Sequence, residues 1–208
     1  MNIQELKDLQ PLVYQQFVTI LEQGRLAHAY LFSGDFASFE MALFLSQALF
    51  CQEKVGVLPC GKCRSCRLIE SNDFSDVTIV APQGNFIKTD TIRELVKNFS
   101  QSGFESSQQV FIIRDAEKMH VNAANSLLKV IEEPQSTIHI FLLTNQEEAV
   151  LPTIKSRTQI ISFPQNLPYL ERFLEEEGLL KTQASLIARL VSSQEEAKRL
   201  ATNKSFID

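Results

Sequence analysis

Short apolar runs alternate with helical patterns along the first four-fifths of the chain, and this alternation constrains the fold more than any other feature. The runs are AYLFS from Ala29, DVTIVAP from Asp76, QVFIIRD from Gln109, TIHIFLLT from Thr137 and TQIISF from Thr158. Between them the apolar spacing turns helical, over Glu40 to Phe50, Asp90 to Ser102, Asn122 to Glu133 and roughly Glu147 to Ser156. An amphipathic helix over about Leu12 to Gln23, ended by Gly24, precedes the first run. A strand apolar on both faces has to be covered on both, so the pattern predicts a parallel sheet flanked by helices, an α/β domain over residues 1–165.

After Pro164 and Pro168 the character changes. YLERFLEEEGLL, TQASLIARLVSS and QEEAKRLA read as short helices with no strand among them, which predicts a small helical domain over 166–208. So small a unit is expected to pack against the sheet domain or a neighbour. The chain has 208 residues, 44% hydrophobic and 22% charged, enough for one sizeable core and an appendage. No apolar run reaches the length of a membrane span, and MNIQELKDLQ lacks a secretory pattern, so a cytoplasmic location is expected. A net charge of −5 disfavours autonomous binding to a nucleic-acid backbone.

The segment LFSGDFASFEMALF has the outline of a phosphate-binding loop, an apolar strand running through Gly34 into a helix. Its working residues are replaced. Counted from Gly34, the second glycine falls on Phe39, the phosphate-reaching lysine on Glu40 and the magnesium-holding hydroxyl on Met41. Phe39 crowds the backbone where a phosphate must approach, and Met41 offers no oxygen to a hard cation. Two unit charges about 4 Å apart interact by roughly 4 kcal/mol at an effective dielectric near 20. At Glu40 that attraction becomes repulsion, so ATP is not expected to bind. Gly34 can equally be an ordinary turn glycine.

Cys51, Cys60, Cys63 and Cys66 all fall within CQEKVGVLPCGKCRSC. Two overlapping C-x-x-C turns bring three thiolates to one ion and Cys51 can complete a tetrahedron, which predicts a structural zinc module at 51–66. Two disulfides and an iron–sulfur cluster are the competing readings. With no open coordination position, the ion would serve to fold a loop that buries no core of its own.

The strand VFIIRD ends on Asp115, where phosphate-loop proteins hold the acid that organises Mg²⁺. The glutamate that commonly follows is Ala116 here, and Glu117, one residue on, is expected to point elsewhere. In AANSLLKVIEEP, Ala123, Ala124, Leu127, Leu128 and Ile131 form an apolar helical face, Lys129 and Glu133 are spaced for a surface pair, and Pro134 stops the helix.

HAYLFSG, the four-cysteine module, AANSLLKVIEEP, FLLTN and LPTIKSRTQIISF, in that order, resemble the delta-prime family of bacterial DNA polymerase III clamp-loader subunits, within the AAA+ superfamily. The resemblance implies an AAA+ sheet domain followed by a helical lid, with the family's third, oligomerising collar domain absent from these residues. It implies that Thr144 corresponds to the polar sensor of the γ-phosphate, with a structural hydrogen bond the role expected here. It further implies that Arg157, in KSRT, is an arginine finger reaching the ATP site of a neighbouring subunit, where the family's serine, arginine, cysteine triplet has Thr158 in place of the cysteine. The partners implied are the gamma or tau ATPase subunits, delta, the sliding clamp and primer–template DNA. The chain itself would lack ATPase and polymerase activity while serving a DNA-directed DNA polymerase holoenzyme.

Two other functions fit parts of the sequence: a weak nucleotide-binding ATPase with a divergent loop, disfavoured by Glu40, and a stand-alone zinc-containing DNA-binding module using Lys62, Arg64 and Arg67, disfavoured by the acidic balance. His28, His120 and His139 are not spaced as ligands, and Glu175 to Glu177 read as a solvated helix end.

Overall fold

The computed structural model describes residues 3–99, 108–132 and 137–202. The elements run α1 (Ile3–Leu9), α2 (Pro11–Glu22), β1 (Ala29–Ser33), α3 (Ser38–Phe50), α4 (Arg64–Glu70), β2 (Val77–Val80), α5 (Thr89–Phe99), β3 (Gln108–Ile113), α6 (Val121–Glu132), β4 (Thr137–Thr144), α7 (Pro152–Lys155), β5 (Gln159–Ser162), α8 (Leu167–Glu176), α9 (Lys181–Leu190) and α10 (Gln194–Thr202). The end of the helix expected to reach Ser102, and the Glu133 and Pro134 expected to pair and stop α6, lie outside the described residues.

All five apolar runs form strands, in one parallel sheet of order β2-β3-β4-β1-β5. Side chains alternate between its faces. Tyr30, Phe32, Phe141 and Leu143 join α1 to α4 on one side, whereas Leu31, Ile140 and Leu142 join α5, α6 and α7 on the other. The first face is rich in aromatic rings: Phe17, Tyr30, Phe32, Phe141 and Phe163 pack edge to face, tilted or, for Tyr30 and Phe141, stacked, with centroids 4.8 to 5.9 Å apart.

Three helical regions depart from the sequence expectation. The helix expected over about Glu147 to Ser156 is a 3₁₀ turn at Glu147–Ala149 followed by the four residues of α7. Leu151, which precedes Pro152, is extended (ψ 131°), because the proline ring disfavours helical backbone in the residue before it. Helices α1 and α4, assigned no element from the sequence, bury Leu6 with Leu9 and Cys66 with Ile69 respectively.

The three C-terminal helices form a separate apolar cluster around Leu170, Leu174, Ile187 and Ala188. The loop after β1 contributes Phe36 to it. Polar struts tie the segment before α8 to both sides: Asn166 Nδ2 donates to the Asp8 and Leu9 carbonyls, and Gln165 Nε2 to those of Ala188 and Val191.

At the amino ends of β1 and β4, His28 and His139 stack with centroids 5.7 Å apart. The Nδ1 atoms bond the carbonyls of Ile138 and Ala27 respectively. Burial, reinforced by His28 and opposed by the Ala27 bond, holds His139 below the ordinary histidine range. The unfolded chain therefore takes up the proton first, near pH 6.5. This contribution to stability is full above that value and is lost as pH falls toward the lowered folded pKa. Denaturation midpoints of the wild type are expected to fall between about pH 7.5 and about pH 5.5, and those of His139→Gln to fall less over the same interval.

Candidate functional site

The carboxyl ends of the parallel strands converge on the loop that follows β1, the place where ligands of open α/β sheets bind. Ser33 stands level with Thr144 of β4 and Ser162 of β5. Just beyond, the Gly34 amide donates to the Thr144 carbonyl (2.8 Å) and the Phe163 amide to the Ser33 carbonyl (2.7 Å). Gly34 has φ +113°, and a Cβ there would meet the Phe163 carbonyl oxygen at 2.3 Å. Close approach of a neighbouring strand's backbone thus requires glycine here with no nucleotide involved.

The rest of the loop is filled with protein. Phe36, 5% exposed, is buried among the C-terminal helices. Its carbonyl accepts a bond from Gln10 Nε2 (2.9 Å), which also donates to the Pro164 carbonyl (2.7 Å). Phe39 carries the Arg114 guanidinium over its ring, 4.9 Å from the centroid. Met41 is fully buried in the sheet core. Glu40 lies in the first turn of α3, where the helix dipole favours an anion, so a carboxylate supplies the negative charge that a phosphate would bring. A polar cleft of about 300 Å³ remains beside it, lined by Asp35, Phe39, Glu40, Arg114, Glu195 and Lys198.

Asp115 adopts a left-handed conformation (φ 51°) opening a 3₁₀ turn, and its carboxylate lies 3.6 Å from Lys118 Nζ. Thr144 is buried; its hydroxyl donates to Glu117 Oε2 (2.6 Å) and accepts from the Gln146 amide (3.0 Å). Glu117, expected to point elsewhere, thus joins the 3₁₀ turn after β3 to the end of β4, a pairing that linear spacing did not signal.

Arg157 stands apart from this loop, just past α7. Its Nε donates to Glu132 Oε1 at the end of α6, and Nη1 donates to the Thr153 carbonyl (3.3 Å). The two side chains are 40% and 50% exposed. Glu132 was not singled out in the sequence, since nothing in a helix-ending EEP signals a partner 25 residues on.

The four cysteines gather at the end of α3 and the start of α4, with all four sulfurs within 4.8 Å of one another. A tetrahedral ion with metal–sulfur bonds of about 2.3 Å needs sulfurs about 3.8 Å apart, and Cys51 and Cys63 Sγ are 3.9 Å apart. The Cys60 amide donates to Cys51 Sγ (3.3 Å) and the Cys63 amide to Cys60 Sγ (3.2 Å), bonds that favour thiolates. The backbone amide of Cys66 is the main influence holding the Cys63 thiol down, whereas burial pushes Cys66 up. The residues present fit a metal bound through four sulfurs.

A five-stranded parallel sheet with a loop of this placement defines an AAA+-like α/β fold, here with the loop after β1 packed by the chain's own side chains. A RuvB variant from Thermotoga maritima has the same fold, with a TM-score of 0.58 at 11% identity over 94% of this chain and 60% of that one.

The chain belongs to the family described as DNA polymerase III, delta subunit, whose model matches residues 9–166. DNA polymerase III subunit delta' of Bacillus subtilis is 38% identical over 207 residues, 98% of this chain and 63% of the relative. A gamma/tau subunit of Mycobacterium tuberculosis is 33% identical over 79% of this chain and 30% of its own length. The chain thus spans under two-thirds of the length of the curated relatives it matches. Among the described residues, no helix is long and apolar enough to cross a membrane.

Replacing Gly34 by alanine forces a Cβ into the Phe163 carbonyl at a positive φ, and is expected to cost about 3 kcal/mol. The check is the urea midpoint at constant m; a loss under about 0.5 kcal/mol would show that the strand ends separate readily.

Proposed function

We propose that the chain is a non-catalytic clamp-loader subunit that supplies Arg157 to the ATP site of an adjacent ATPase subunit. The observation that carries this reading is one contrast. The chain's own loop is closed by Phe36, Phe39 and Glu40, while Arg157 stays half exposed on another element. The delta' and gamma/tau relatives support the replication setting. An arginine delivered in trans neutralises charge developing on a transferring phosphoryl group, typically worth factors of about 10³ to 10⁵. A subunit without turnover can thereby be needed for turnover next door.

On this reading residues 1–165 are the AAA+ domain and 166–208 its lid, locked to the sheet domain by Phe36 and the Gln165 and Asn166 struts. The protein acts in the cytoplasm as a rigid arm that helps place the sliding clamp on primer–template DNA, with gamma or tau and delta as neighbours. Cys51, Cys60, Cys63 and Cys66 hold a structural Zn²⁺ that orders the loop between α3 and α4.

In an assembly reconstituted with the full-length protein, Arg157→Ala is expected to lower turnover at the facing site by about 10³ while leaving assembly intact. Unchanged turnover in an intact assembly would remove the finger role. Metal analysis is expected to find a single tightly held zinc per chain, lost in Cys60→Ser together with some thermal stability. Iron with visible absorbance would instead assign the site to a cluster.

A further inference from the structure

Arg157 does not stand free on the surface. Glu132 accepts from its Nε, and the Thr153 carbonyl accepts from Nη1 at 3.3 Å. Among the described residues none engages Nη2. The contacts come from two different elements, the end of α6 and the body of α7, so they fix the guanidinium plane relative to the sheet domain.

An ion pair between side chains 40% and 50% exposed adds little to fold stability, because water screens it and two long side chains lose freedom in making it. Its consequence is orientation. A free arginine spreads its guanidinium over many rotamers, whereas one held at Nε keeps its planar fork preset for an incoming anion. Glu132 also carries the charge complementary to the guanidinium, which favours this orientation over others.

We propose that Glu132 is a positioning residue for Arg157: by holding Nε it leaves Nη2 set to meet an anionic phosphoryl oxygen presented by an adjacent chain. This rests on the reading of Arg157 as a finger acting in trans. The alternative sign, Glu132 as a competitor that keeps Arg157 away from the phosphate, predicts the opposite response to its removal.

The test uses the reconstituted assembly of full-length subunits, with Mg-ATP as substrate and equal assembly confirmed for every variant. Glu132→Ala is expected to lower kcat roughly fivefold with KM for ATP unchanged, since misplacing a catalytic group by a fraction of an ångström acts on the transition state. Glu132→Gln, whose amide oxygen still accepts from Nε, is expected to stay within about twofold of wild type. The double variant Glu132→Ala, Arg157→Ala is expected to match Arg157→Ala alone. If Arg157→Ala lowers turnover but Glu132→Ala leaves it unchanged or raises it, the positioning role fails and the finger stands. A double variant slower than Arg157→Ala would likewise overturn it, by showing that Glu132 acts through something else. If Arg157→Ala has no effect, the finger reading fails and the role of Glu132 fails with it.

Discussion

Burial of Phe36 among the C-terminal helices is the interaction on which the arrangement turns. The residue belongs to the loop after β1, yet its ring lies in the apolar cluster of α8, α9 and α10. Fully burying such a side chain is worth about 2 to 3 kcal/mol. The Phe36 carbonyl is held in turn by Gln10, which also holds Pro164 at the head of the connection into those helices. Three distant parts of the chain therefore meet at a loop that, in a nucleotide-binding relative, would have to stay open for a ligand.

Charge at the same place follows one logic. A helix N-terminus attracts negative charge, and Glu40 provides it from within. Arg114 lies over the Phe39 ring, and Asp115 faces Lys118. Thr144 spends its hydroxyl on Glu117. Arg114, Asp115 and Thr144 thus each have a partner inside the chain.

What the sequence revealed depended on how local the signal was. Strands apolar on both faces announce a parallel sheet wherever they lie, and four cysteines within one loop announce a shared ligand site, because both patterns fit in a short window. The expectation that Phe39, Glu40 and Met41 do not suit a phosphate likewise came from a short window. The reason for Gly34 was not legible, since it comes from the Phe163 carbonyl just past β5, more than a hundred residues later. The same holds for Phe36, whose burial partners all lie beyond residue 166, and for the Glu132 grip on Arg157. Helix α1 was missed because seven residues with two buried leucines carry too little periodicity.

The placement of β1 has a consequence for how the protein is made. Of the five strands described this one leaves the ribosome before the others, but its neighbours in the sheet are β4 and β5, with Ala29 level with Ile140 and Tyr30 level with Gln159. Both edges of a strand as apolar as AYLFS stay unpaired until roughly a hundred further residues have been made, and at about 5 to 20 residues per second that interval lasts several seconds. Such non-local closure is slow and leaves sticky surface exposed. During those seconds the nascent segment 29–50 is where a chaperone would be needed, and where aggregation would begin without one.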